Sequence, residues 1–326
     1  MSLVTLIPAY KPKYLGDLLL SLWQQSVKPG RVVVSDDSPQ ASFTQALADP
    51  QVAHVVAGLH IEVVRGPCRG SSANWQFLTR HHMGDAEFFH LLLDDDVIYP
   101  GFYERHLQAH ALGHFPVTVS RRWTANESGM PLRDLPVPVA VAQGRDALLS
   151  IDAPALFAST CARGSNWLGE TSNAVYRAGW GHTIADPQVG GISYIGLDDI
   201  GSFLRCTLDR PVLYINDHLG YFRTSPDQNS AQTYGRPLKL AHLAYIALSV
   251  IGHRAGQISA EQLHGCVMAV GAAVLHHYGS QDDLVDCRAA IGAWMAGAPD
   301  GEARFLQAWQ TYAGHPEAPA ALPLAA

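Results

Sequence analysis

The chain has 326 residues, 48% of them hydrophobic and 16% charged, with a formal net charge of −7. That length suits one large domain or two smaller ones, and the acidic balance without a long basic block excludes a general nucleic-acid-binding surface. The five cysteines are scattered, odd in number and lack a C-x-x-C pair, which argues against a disulfide framework and a cysteine zinc site. The start, "MSLVTLIPAYKPKYLG", lacks the pattern of a signal peptide. The most apolar later stretch, "LAHLAYIALSVIG", is too short and too interrupted to span a bilayer. The expectation is a cytoplasmic protein, free or peripheral at the inner face of the membrane.

Residues 3–7, "LVTLI", form an apolar run ending at Pro8 and read as a buried strand. Leu15, Leu18, Leu19, Leu22 and Trp23 then fall at helical spacing, with Pro12 suited to a first turn. "RVVVS" (31–35) is a second strand, and Ser38-Pro39 suits the start of a helix through "SFTQALAD". "HIEVVRG" (60–66) and "EFFHLLL" (87–93) read as further strands, with helices at "SSANWQFLTRHHM" and "YPGFYERHLQAHAL". This alternation predicts an α/β fold with a parallel, doubly wound sheet, in which ligands bind beyond the carboxyl ends of the strands. From about 115 to 170 the pattern loosens, and "RRWTANESGMPLRDLPVPV" reads as a loop-rich excursion. "SNAVYRAGW", a helix start at "GLDDIGSFLRCTL" and a strand at "PVLYIN" follow.

Beyond about 235 the character changes. Leu240, Leu243, Ala244, Ala247, Leu248 and Ile251 keep helical spacing, and segments near 260–278, 283–297 and 302–312 also read as helices. The expected division is an α/β domain over 1–235, a helical region over 236–316 and a disordered Ala/Pro-rich tail over 317–326. The helical region offers a surface for a homodimer.

The acidic runs carry the chemistry. Asp94, Asp95 and Asp96 directly follow an apolar strand, where uncompensated carboxylates are costly. Alternate residues of extended chain point the same way, so Asp94 and Asp96 can converge on one cation. Oxygen ligands suit Mg²⁺ or Mn²⁺, which bridge to phosphates. The competing reading is a solvated helix start. Asp36 and Asp37 follow the second strand and meet the same sheet edge, either as a turn or cap or as acceptors for a nucleobase N–H. Asp198 and Asp199 stand at a helix start, where capping alone explains an aspartate.

The order of these pieces resembles the family 2 glycosyltransferases of the GT-A fold. "LVTLIPAYKPKYLGDLLLSLWQQSVKPGRVVVSDDS", then "GSSAN", "LLLDDDVIYPGF", "GETSNAVYRAGW", "GLDDIGSFLR" and "NDHLGYFR" follow that family's sequence over residues 2–225. The resemblance implies an inverting, metal-dependent transfer of one sugar from a nucleotide sugar, most commonly a UDP-sugar, to a glycan, lipid-linked or protein acceptor in glycan or glycoconjugate assembly. It places Pro8, Ala9 and Tyr10 against the base and ribose, with Asp36 and Asp37 binding the nucleotide. Arg69, Asn74 and Asp95 join the nucleotide set. Asp94 and Asp96 match the D-x-D, with Asp96 the more direct ligand of Mn²⁺ or Mg²⁺ and His218 a further one. Asp199 matches the catalytic base, and Asp198 replaces the usual Glu before it, leaving the choice between the two open. Trp167, Gly169 and Glu170 fall at the acceptor site.

The chain departs from the family at Ser72-Ala73-Asn74, where "A-R-N" is common; Arg69 and Arg65 are the neighbours able to replace that arginine. No tryptophan-rich processive motif follows, which favours single-sugar transfer. Two other classes compete. A nucleotidyltransferase would also need acidic ligands, with a Gly-rich phosphate loop that is missing although Lys11 and Lys13 are present. A non-catalytic sugar-nucleotide-binding module would need no base. With 16 histidines in the chain, single histidines such as His81, His82, His276 and His277 read as surface or packing residues. Arg121, Arg122 and Arg223 read as solvated by default, with phosphate contact as the functional alternative.

Overall fold

The structure is a computed structural model that describes residues 2–142, 146–226, 228 and 231–314; the expected tail over 317–326 lies outside them. The strands are β1 (Leu3–Ala9), β2 (Arg31–Asp36), β3 (Ile61–Arg65), β4 (Phe88–Leu91), β5 (Val97–Ile98), β6 (Val117–Ala125), β7 (Pro131–Asp134), β8 (Leu148–Ile151), β9 (Ala174–Arg177), β10 (Gln188–Val189), β11 (Ile192–Ser193) and β12 (Val212–Arg223). Ten of them form one sheet in the order β3-β2-β1-β4-β9-β6-β12-β5, with β7 beside β6 and β8 beside β12. Strands β3, β2, β1 and β4 are parallel, as are β6 and β12, while β9, β5, β7 and β8 join antiparallel.

Between the strands run α1 (Leu15–Trp23), α2 (Ser42–Leu47), α3 (Ala53–Gly58), α4 (Ser71–His81), α5 (Phe102–Ala111), α6 (Ala153–Ser159), α7 (His182–Ala185) and α8 (Asp198–Asp209). They are followed by α9 (Arg236–Arg254), α10 (Ala260–His277), α11 (Val285–Met295) and α12 (Gly301–Gly314). This is an α/β, GT-A type fold with a helical C-terminal region.

Every residue of β1 is buried, because helices cover both sheet faces. Pro8 costs no ladder bond there: the pairing of β1 with β4 ends at Leu6 opposite Leu91. On one face, Leu15, Leu18, Leu19 and Leu22 of α1 pack with Ile7, Val32, Val34, Phe102 and Tyr103. On the other, the sheet shares a single apolar cluster with the C-terminal helices, including Leu243, Ile246, Leu248, Val267, Ile291 and Trp309. Helix α9 is apolar around most of its circumference because neighbours cover it on several sides.

The expected loop-rich stretch after 115 contains a nine-residue strand, β6, in the middle of the sheet. Its paired arginines hid it. Arg122 is buried against Glu170, and Arg121 is paired with Asp134, so charges that read as solvated are neutralised inside the fold. Strand β12 likewise runs far past "PVLYIN", bulging around His218 on its way to Arg223.

Candidate active site

The parallel strands β1, β2 and β4 bring their carboxyl ends to one sheet edge, and the aspartate runs gather there. In the turn after β4, Asp94 Oδ2 accepts the backbone amides of Tyr10 (2.6 Å) and Lys11 (2.7 Å), tying the end of β1 to this turn. Burial and the neighbouring Asp95 push the Asp94 carboxyl up to about 7.

Asp96 is buried. Its Oδ1 accepts the Arg223 amide (3.1 Å), while its Oδ2 is sealed from solvent without a hydrogen-bond partner. Burial, followed by the charges of Asp95 and Glu170, holds this carboxyl well above its ordinary range. A sealed, orphaned carboxylate oxygen is costly unless a cation or proton meets it.

Arg223 braces the turn from behind. Its guanidinium, only 1% exposed, donates to the Asp95 carbonyl (2.9 Å), Asp17 Oδ2 (2.7 Å) and the Glu127 carbonyl. It also stacks over the Tyr14 ring, 4.3 Å from its centroid. The Asp95 carboxylate meets Gln228 Nε2 at 3.3 Å.

The loop after β2 is equally ordered. Both oxygens of Asp36 are taken by the amides and hydroxyls of Ser38 and Thr44. Burial pushes Asp36 up, but those four bonds outweigh it and hold the carboxyl below its ordinary value. Asp37 accepts the Cys68 amide (2.9 Å) and is pushed up by burial. It leaves no room for a side chain at Gly66, where a Cβ would lie 2.1 Å from Asp37 Oδ1. Asn74 stands behind this loop, with its amide bonded at both ends to Ser35. Pro8 and Ala9 are buried, whereas Tyr10 is exposed at the rim and Arg69 is exposed at the end of the β3 loop.

The start of α8 separates its two aspartates. Asp198 Oδ1 accepts the Ser72 hydroxyl (2.6 Å) and Oδ2 the Gly196 amide (3.0 Å). Asp199 uses Oδ1 on the Ile200 amide (2.7 Å), while its second oxygen is not among the sealed atoms. Burial, then the Glu170 charge, pushes Asp199 up to about 7. Glu170 is itself held by Arg122, which donates through Nε (2.7 Å) and Nη2 (2.5 Å). The Glu170 charge therefore acts on both Asp96 and Asp199, and a small pocket lined by Asp96, Arg122, Glu170, Ser172 and Tyr221 opens beside it.

Three other expected site residues have structural partners. Trp167 is in the core, with Nε1 on Ser159 (3.2 Å). Gly169 has φ +102°, and a Cβ there would meet Asn173 at 2.5 Å. His218 stacks flat on Trp123 (3.8 Å between centroids) and directs Nε2 to Asp134 (3.0 Å).

Among the described residues, no three His, Cys, Asp or Glu side chains converge to cage a metal by themselves. The orphaned Asp96 oxygen is the kind of hard donor that Mg²⁺ or Mn²⁺ takes, and Asp96 is the residue that would hold such an ion. Sequence reasoning assigned no role to Ser172 or Ser72, and it read Arg122 and Arg223 as solvated. The available signal was the apolar run flanking each arginine, which places a charge inside the sheet.

No protein-family model matches the chain, and no curated protein matches it. Solved structures do. The chain is similar to residues 1–349 of S. aureus TarS in complex with UDP-GlcNAc, with TM-score 0.55 and 14% identity over 96% of this chain and 90% of that one. It is also similar to the mannosyltransferase PcManGT from Pyrobaculum calidifontis in complex with GDP-Man and Mn²⁺, with TM-score 0.54 and 13% identity over 95% and 85%. At that identity the likeness is one of fold. Among the described residues, no helix is long and apolar enough to cross a membrane.

Proposed function

We propose that the protein is an inverting, metal-dependent glycosyltransferase of the family 2 kind. It would move one sugar from a nucleotide sugar, with UDP as the favoured carrier, to a hydroxyl acceptor in glycan or glycoconjugate assembly. The observation that carries this reading is the sealed, orphaned Asp96 Oδ2 beyond β4, with Asp199 at the start of α8 raised by the same Glu170 charge that acts on Asp96. Support comes from the shared fold with proteins whose structures contain UDP-GlcNAc and GDP-Man.

Pro8, Ala9, Tyr10, Asp37 and Arg69 would receive the base and ribose, and Asp96 would hold Mn²⁺ or Mg²⁺. An ion held there would supply positive charge to offset that gathering on the departing diphosphate. Asp199 takes the proton of the acceptor hydroxyl. That oxygen forms a bond to the anomeric carbon on the face opposite the diphosphate. The bond from that carbon to the phosphate oxygen breaks, and its electron pair leaves with the diphosphate, inverting the centre. A base pushed up to about 7 is matched to this task near neutral pH. Glu170 faces the acceptor side, while Asp198 holds the turn that presents Asp199.

The test is a thermal-shift panel of UDP, GDP, dTDP and CDP, each with and without Mn²⁺, on wild type and Asp96→Ala. A ligand that binds only the folded state raises apparent stability by mass action. One nucleotide with a Mn²⁺-dependent shift that disappears in Asp96→Ala supports the reading and names the carrier. No shift with any nucleotide overturns it. Pyrophosphate release from a nucleoside triphosphate would instead assign a nucleotidyltransferase.

A further inference from the structure

The turn that presents Asp199 stands outside the main sheet. It begins at β11, which among the described residues pairs with β10 alone, in a separate two-stranded sheet. No ladder from the ten central strands fixes where residues 193–199 lie, so contacts with the surrounding helices must do it. On one side α4 reaches the turn through the Ser72 hydroxyl, which donates to Asp198 (2.6 Å). Asn74 of the same helix is bonded to Ser35 of β2, so this side of the turn is tied to the nucleotide loop.

The other side is held by helices after residue 235. Trp309 of α12, only 1% exposed, donates from Nε1 to the Ser193 carbonyl (2.9 Å). A buried indole N–H needs some acceptor. The one taken here belongs to the strand that leads into the turn. Gly196 has φ +98°, and a Cβ there would stand 2.5 Å from Leu240 Cβ and 2.9 Å from the Ala241 nitrogen, so the first turns of α9 lie directly against this backbone. Helices α9 and α12 are linked in turn. Buried Lys239 donates to both oxygens of Asp283 (2.9 and 3.0 Å), Tyr312 donates its hydroxyl to Asp283 (3.2 Å), and Arg236 donates to the Tyr312 carbonyl (2.7 Å).

We propose that the C-terminal helices are the positioning half of the catalytic unit, in which Trp309 and the start of α9 set the place of residues 193–199 and so of Asp199. This rests on the glycosyltransferase reading. Trp309 is a positioning residue: it acts through the backbone of the turn and takes no part in the proton transfer. The helical region then does for the base what Arg223 does for the Asp96 turn.

The experiment uses the full chain with Mn²⁺ and either UDP-GlcNAc or GDP-mannose as probe, with water as the acceptor. Trp309→Phe keeps an aromatic ring and removes the N–H. It is expected to retain the Mn²⁺-dependent nucleotide shift and the donor KM while kcat falls roughly three- to tenfold, the range of one neutral hydrogen bond. In an Asp199→Asn background the same change should add little, because Trp309 acts through Asp199. Hydrogen exchange should quicken in the peptide over 193–201 and stay unchanged in β1 to β4, a local loosening that general destabilisation would not give. Gly196→Ala, which pushes the same turn off α9, should repeat the pattern if Trp309→Phe folds poorly. Wild-type kcat in both variants, unchanged exchange over 193–201, or an equal loss in the Asp199→Asn background overturns the inference and leaves the glycosyltransferase reading standing. A wild type that shows no shift with any nucleotide overturns both.

Discussion

The turn after β4 and the start of α8 each hold adjacent aspartates and spend them differently. In the first, Asp94 ties down β1, Arg223 braces the turn from behind, and Asp96 keeps one oxygen sealed away from water. In the second, neutral donors hold Asp198, and Asp199 keeps an oxygen that is not sealed in this way. The difference is one of ligand: a sealed carboxylate calls for a cation, whereas a partly accessible carboxyl at about 7 is suited to exchange a proton. In both turns one acid is committed to backbone amides.

The largest expected effect separates the α8 pair. Asp199→Asn should lower kcat about 10²–10⁴-fold with nucleotide binding retained. Asp198→Ala should fall mainly on stability, by about 1 kcal/mol through lost capping contacts. Equal kinetic losses in the two variants, read from steady-state turnover, would remove the distinction between them.

Arg223→Ala tests the brace behind Asp96. It strips a buried, multiply bonded charge and leaves the acidic turn uncompensated, so chemical denaturation should show a loss of about 3–5 kcal/mol. A loss under 1 kcal/mol would mean that the turn holds itself.

The third prediction concerns pH. Asp199 acts as a base only when deprotonated, so kcat should rise with pH through an apparent pKa near 7. Glu170→Gln removes a negative neighbour and leaves Arg122 uncompensated, which should move that limb to lower pH. An unmoved limb would exclude Glu170 as the cause of the shift.

The smallest effect is on stability. The folded-state pKa of Asp199 lies above its unfolded value, so its contribution is full below about 4 and is lost as pH rises through about 7. Asp199→Asn should therefore raise the melting temperature at pH 8 by a few degrees and change it little at pH 5. The same increment at both pH values would break the link to titration.

Much of this molecule could be read locally. β1 to β4, the helices between them and the C-terminal helices announce themselves through apolar periodicity, because each has to bury a face. The clustering of Asp36–Asp37 and Asp94–Asp96 at one edge follows from strand direction alone. The central strand β6 was hidden because the partners that neutralise Arg121 and Arg122 come from other segments: Asp134 and Glu170.

The sequence by itself therefore determined the element types up to β4 and beyond residue 235, the parallel half of the sheet and that Asp36–Asp37 and Asp94–Asp96 meet at its edge. Only the tertiary structure decided which aspartate of each run is used up, since hydrogen bonds from Tyr10, Lys11, Ser72 and Gly196 arrive from elsewhere in the chain or loop. It also decided that α9 packs against Gly196, just before the two aspartates of α8. Periodicity says that a helix must bury a face; the surface that receives that face is set by packing across long stretches of sequence.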